Sequence, residues 1–129
     1  LIWFVRRGEE LRTFNVPLLD EKRGYAGYNS KYPAKSEYKR RTNVWTDVTE
    51  ILRGKTHDAE KPERLYEIIY ATHSRRGDRV IDICAGSGAA GIAALRIGRR
   101  PVLIESDRAA YVKICERLHA HTRIANEVA

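Results

Sequence analysis

The chain has 129 residues, of which 43% are apolar and 32% charged, with a formal net charge of +7. That is room for one domain, and no apolar run approaches the roughly 20 residues that span a bilayer, so a membrane-spanning protein is excluded. Two cysteines, Cys84 and Cys115, cannot build a disulfide framework, which makes a reducing, cytoplasmic compartment the expectation. The apolar run of Leu1–Arg7 is too short for a signal peptide and has its charges on the wrong side. With no Met anywhere, the chain reads as a piece of something longer.

The charge is unevenly spread. Up to Val44 there are ten basic and five acidic residues, against 14 and 12 from Trp45 onward. The same first third, with Trp45 at its edge, holds eight of the 11 aromatic residues. Cations neutralise phosphates and flat rings stack on bases, so such a segment has the composition of a nucleic-acid surface, or else of a solvated loop region with aromatics packed inward. The chain therefore divides into residues 1–44, an irregular basic segment, and residues 45–129.

In chain order, Ile2–Val5 reads as a short strand, and Arg12–Val16 as a second that ends at Pro17. From Asp20 to Thr42 nothing is periodic; glycines, Asn29, Ser30 and Pro33 break the segment into turns. Lys31, Lys35 and the cluster Lys39-Arg40-Arg41 are its candidate phosphate contacts. Pro62 suits the first turn of a helix, with Leu65, Ile68, Ile69 and Thr72 at helical spacing and an end near Ser74. Arg79–Ile83 follows as a strand buried on both faces, as in parallel sheets. A turn at Ala85-Gly86-Ser87-Gly88 leads into a helix over about 89–96, closed by Gly98. Pro101–Glu105 is the next strand, and Asp107 caps a last helix with the stripe Tyr111, Ile114, Cys115, Leu118. Strand, helix and parallel strand make a βαβ unit, so the class is α/β.

After a buried parallel strand, a glycine turn lets the backbone approach a ligand, and the next helix presents its N–H groups to it. Gly86-x-Gly88-x-x-Gly91 matches the dinucleotide fingerprint, and Glu105, 19 residues after Gly86, can accept both hydroxyls of an adenosine ribose. Asp82, however, interrupts the strand end. An acid there repels a pyrophosphate but holds a cation such as an amino-acid ammonium. S-adenosylmethionine joins those two features, an adenosine and a methionine ammonium. A nicotinamide-dependent enzyme is the weaker alternative, and a turn-forming Asp82 is the purely structural one.

Asp82-Ile83-Cys84-Ala85-Gly86-Ser87-Gly88-Ala89 resembles the D-P-F-x-G-S-G-T motif of the amino-DNA methyltransferases, which methylate adenine N6 or cytosine N4. His57-Asp58-Ala59-Glu60-Lys61-Pro62 is similar to the H-P-x-x-K-P element that precedes it in their permuted beta group. Gly91–Arg99 matches the helix after the motif, Ile104–Asp107 the acidic strand end, and Asn43–Val48 and Leu1–Phe4 the flanks of the target-recognition region. The departures are Asp58 for Pro, Ile83-Cys84 for Pro-Phe and Ala89-Ala90 for Thr-Thr.

The resemblance implies part of a Rossmann-like, S-adenosylmethionine-dependent methyltransferase fold. Asp82 and the backbone of Ala85, Gly86, Ser87 and Gly88 would face the methionine part. Glu105 would take the ribose, and Ser106 and Asp107 would lie by the adenine. His57, Lys61 and Pro62 would set an element against the methionine carboxylate, a cation facing an anion. No metal is implied. The substrate would be double-stranded DNA, adenine N6 ahead of cytosine N4. The family's catalytic D/N/S-P-P-aromatic loop has no counterpart here, since the sequence contains no Pro-Pro. The chain is then the C-terminal part of a beta-group enzyme, completed by an N-terminal catalytic portion or a complementary subunit. The alternative is a non-catalytic truncated homologue that binds DNA or a partner methyltransferase.

Overall fold

The structure, a computed structural model, describes residues 13–22, 37–42, 45–48 and 60–127. The expected strand Ile2–Val5 and the candidate residues Lys31, Lys35 and His57 lie outside them. The described chain runs β1 (Leu18–Lys22), β2 (Tyr38–Arg40), α1 (Glu63–His73), β3 (Arg79–Asp82), α2 (Ala89–Arg96), β4 (Arg100–Leu103) and α3 (Arg108–Glu127). β1 and β2 pair antiparallel, and β3 and β4 pair parallel with Val80 opposite Pro101 and Asp82 opposite Leu103. The βαβ unit β3–α2–β4 is the α/β organisation expected of residues 79–105.

Local chemistry accounts for the helices. Pro62 precedes α1 with φ −56°, and Glu63 supplies the acid that favours a helix N-terminus. At its far end Ser74 donates its N–H to the Tyr70 carbonyl. α2 is almost entirely Ala, Gly and Ile, and Ala89 to Ala94 are all buried, so it is the central helix of the unit. A Cβ on Gly91 would stand 2.6 Å from Leu103 Cδ1 and 3.3 Å from Leu118 Cδ2, so the glycine lets α2 lie close against β4 and α3. Asp107 caps α3 by accepting the Ala110 N–H at 2.7 Å. Of the stripe expected on α3, Ile114 is buried, Cys115 and Leu118 are half-buried, and Tyr111 is exposed.

Two expectations are corrected. Residues 13–17 form no strand. Asn15 instead donates its backbone N–H to the Thr72 carbonyl at 2.7 Å and its side-chain amide to Ala71 O, which ties the segment to the end of α1. The strands of this region, β1 and β2, fall largely within the segment from Asp20 to Thr42, which has no periodicity. They are mostly exposed and are joined by ion pairs of Glu21 with Lys39 and of Lys22 with Glu37, so they carry no apolar alternation.

The second correction concerns β3, expected to be buried on both faces. Leu103 lies against α2, but the opposite face is bare: Ile81 is 64% exposed, Ile83 70% and Ile104 52%, beside the exposed Val102. No described element covers it.

Candidate functional site

β3 and β4 end side by side, and the chain leaves each at the same edge. Ala85 donates its N–H to Ile104 O at 3.0 Å, and Ile104 donates to Asp82 O at 2.9 Å, so the pairing continues to the last residue before the glycine turn. Gly86 and Gly88 take left-handed φ of +51° and +77°, and Gly88 donates to Ala85 O at 2.8 Å, closing the turn. At Gly88 the backbone also passes Ile114 so closely that a Cβ would meet its Cγ2 at 3.2 Å.

Glu105 faces this turn from the end of β4. Its Oε2 accepts the Gly86 N–H at 2.7 Å and its Oε1 the Asp107 N–H at 2.9 Å. These donors, Asp107 first and then Gly86, hold the carboxyl below its usual pKa, with Ser106 adding to the effect. Glu105 is therefore an ionised, acceptor-only group. Gly86, Ser87, Glu105, Asp107, Ala109, Ala110 and Lys113 line a cleft of about 200 Å³.

The structure thus gathers four of the predicted residues, Gly86, Ser87, Glu105 and Asp107, around one cleft. Ala85 is buried beneath the turn, Gly88 closes it against α3, and Ser106 is exposed beside Glu105. Asp82 lies half-buried at the strand end, and its Oδ1 accepts the Cys84 N–H at 3.0 Å. It has the turn-forming role as well as a second oxygen. Tyr66 and Tyr70 stack with ring centroids 6.1 Å apart on α1. Burial and then the Asp82 carboxylate push the Tyr70 phenol up to about 12, and Tyr66 upward by the same causes. Lys61 and Pro62 stand at the start of α1, next to Glu60, whose carboxylate is bound by Arg117.

Sequence reasoning missed Lys113 and the pair Ala109-Ala110. The signal becomes visible once Asp107 is placed as the cap, since residues two, three and six positions later lie on the first turns of α3 beside the strand end.

The basic candidates of the first third differ in their surroundings. Lys39 pairs with Glu21. Arg41 bonds Asp47, holding that carboxyl below its usual range, and its guanidinium lies 5.6 Å from the centre of the Trp45 ring. Arg40 is exposed. Arg99 is buried. It donates to Ser74 Oγ at 3.0 Å, Ser74 O at 2.7 Å and Ile97 O at 2.7 Å, joining the end of α1 to the end of α2. Among the described residues no group of three His, Cys, Asp or Glu side chains could hold a metal ion, and no helix is long and apolar enough to cross a membrane.

The sequence profile of the DNA methylase family N6_N4_Mtase matches residues 1–117. The type II methyltransferase M2.DpnII of Streptococcus pneumoniae is 36% identical over 83 residues, 61% of this chain and 30% of that protein. The type II methyltransferase M2.LlaDCHI of Lactococcus lactis subsp. cremoris is 34% identical over 83 residues, again 61% of this chain and 30% of that protein. The chain thus spans under a third of the length of these relatives. Among solved structures, the M1.HpyAVI–SAM complex is similar with a TM-score of 0.54 and 25% identity, over 82% of this chain and 43% of that one.

Proposed function

This chain belongs to the DNA methylase family N6_N4_Mtase, and on that premise we propose that it forms the S-adenosylmethionine site of a DNA methyltransferase with a Rossmann-like fold. The observation that carries the reading is the Glu105 carboxylate, ionised and bound to the Gly86 N–H across the mouth of a cleft. Its chemistry fits an adenosine: an anionic acceptor for ribose hydroxyls, beside small residues that admit a flat ring. Glu105 holds the ribose, Ser106 and Asp107 border the adenine, and Asp82 with the turn Ala85–Gly88 faces the methionine end. Lys61, with His57 and Pro62, faces the methionine carboxylate. The bound cofactor supplies a methyl group on a sulfonium, open to direct attack by an amine.

The amine belongs to a base in double-stranded DNA, adenine N6 in the reading we put first and cytosine N4 in the other. Residues 1–44 form the recognition segment, with Lys31, Lys35, Lys39, Arg40 and Arg41 towards phosphates, and 45–129 the cofactor-binding part. The D/N/S-P-P-aromatic loop that positions the target amine is supplied by another portion of the protein or by a second subunit. The bare face of Ile81, Ile83, Val102 and Ile104 supports this, because an apolar sheet face left in water favours association.

Calorimetry tests the cofactor site. The protein should bind S-adenosylmethionine and not NAD, and Glu105→Ala should lose most of that affinity. Equal titration curves for the variant and the parent remove Glu105 from the site. The other reading is a non-catalytic truncated homologue that binds DNA or a partner methyltransferase subunit. Hydrolysis and mass spectrometry of DNA treated with the chain together with the portion or subunit that carries the loop decide it, and the methylated base identifies the target.

A further inference from the structure

Outside the cleft, the described structure carries one extended cluster of ionised side chains. Glu60, Glu63 and Glu67 stand against Arg64, Arg96 and Arg117, three acids to three bases. It is drawn from four elements: the segment before α1, then α1, α2 and α3. Glu60 is the most deeply buried member, its side chain only 5% exposed.

Arg117 differs from the other two arginines in what it reaches. Its Nη1 donates to Glu60 Oε1 at 2.7 Å and to the carbonyl oxygen of Ser87 at 2.9 Å, and its Nη2 donates to Glu63 Oε1 at 2.7 Å. One guanidinium on α3 therefore bonds both the segment entering α1 and the glycine turn. These two pieces of chain are far apart in sequence, and no strand pairing joins them.

The Ser87 carbonyl is the atom of the turn that Arg117 holds. The peptide plane joining Ser87 to Gly88 is followed by a glycine with φ +77°, and Gly86 before it has φ +51°. Glycine offers little resistance to rotation of an adjacent peptide plane. The plane is held at one end by the Gly88 N–H on Ala85 O and at the other by Arg117 on Ser87 O. With the second contact gone, only the Gly88 N–H on Ala85 O restrains the plane, and the carbonyl dipole can turn towards the cleft more readily, where it would oppose an anionic group.

We propose that Arg117 is a positioning residue for the cofactor. It locks the orientation of the Ser87–Gly88 peptide and fixes the turn against the Glu60–Pro62 segment, so that both halves of the methionine subsite are pre-set before ligand arrives. This rests on the S-adenosylmethionine reading above, and its test separates the two.

Three variants of the intact protein are compared with the parent: Arg117→Met, Arg117→Lys, and Arg117→Met combined with Glu60→Gln and Glu63→Gln. Each is measured for S-adenosylmethionine affinity by calorimetry, for thermal midpoint, and for amide hydrogen exchange at Gly86 to Ala89 without ligand. Arg117→Met takes one cation from Glu60 and Glu63, although Arg96 still pairs with Glu63, so its midpoint should fall, its affinity should drop tenfold or more, and exchange in the turn should speed up at least tenfold. Lysine keeps a cation with less reach, and should fall between the parent and Met. The triple variant also removes the two acidic charges that faced Arg117 and should recover part of the midpoint, yet keep the weak affinity and fast exchange, because Ser87 O still lacks the Arg117 donor. Recovery of affinity together with the midpoint would show a structural role only and overturn the proposal. A parent that binds no S-adenosylmethionine would sink the cofactor reading. Exchange alone then decides the lock, and equal exchange in the triple variant and the parent overturns it.

Discussion

Gly88→Ala tests whether the turn is as constrained as its geometry implies. Gly88 has φ +77°, and a left-handed residue with a Cβ costs roughly 1–2 kcal/mol. The new methyl would lie 3.2 Å from Cγ2 and 3.3 Å from Cγ1 of Ile114, a residue only 3% exposed and so without room to retreat. Overpacking of that kind adds roughly 1–3 kcal/mol. The total is about 2–5 kcal/mol. Gly77 provides the control, since it has φ +86° but nothing within 4 Å of its built Cβ. Gly77→Ala should cost only the left-handed term, roughly 1–2 kcal/mol. Urea unfolding of both variants should therefore differ by about the crowding term alone. In thermal melts, at roughly 4 °C per kcal/mol, the expected falls are about 8–20 °C and about 4–8 °C. Adding Ile114→Ala removes both Cγ atoms, so the double variant with Gly88→Ala should be more stable than the sum of the singles predicts. If Gly88→Ala costs no more than Gly77→Ala, the close approach of the turn to α3 is refuted.

Arg99→Met removes a buried guanidinium that holds Ser74 and Ile97 with three hydrogen bonds, and urea unfolding should show a loss of roughly 2–4 kcal/mol. Lysine should not restore it, lacking the planar fork. His73, whose ring packs 5.4 Å from Phe14, has its pKa lowered by burial, so the unfolded state binds the proton more tightly. Its contribution to stability is therefore present above about pH 6.5 and is lost as pH falls below that towards its native pKa. His73→Gln should flatten the stability profile between about pH 7.5 and 5; an unchanged slope would assign the dependence to other groups. For DNA, Arg40→Gln should reduce the slope of log affinity against log salt by about 0.9, the effect of one phosphate contact. Arg41→Gln should change that slope less, because Arg41 is engaged with Asp47 and Trp45.

Residues 62–127 were legible in the sequence because each element there announces itself locally. A proline and an acid open α1, glycines bracket α2, and Asp107 caps α3; these signals act over three or four residues, the range in which backbone hydrogen bonds close. Glu105 was legible for a related reason: a strand of fixed rise places the acid after β4 beside the turn after β3 once the two pair in parallel. Nothing local marks β1 and β2, whose pairing depends on charges about 18 positions apart and on backbone bonds between exposed residues.

The fates of the arginines were decided by tertiary structure alone. Arg99, Arg100 and Arg117 are all cations on or beside helices and strands, equal by composition. Arg99 became a buried clasp because the ends of α1 and α2 present carbonyls to the same point, and Arg117 because two acids and the Ser87 carbonyl converge on one turn of α3. The bare face of β3 and β4 is likewise invisible to pattern reading. An apolar strand is written the same way whether its second face meets a helix or solvent, since burial is a property of what else is packed there.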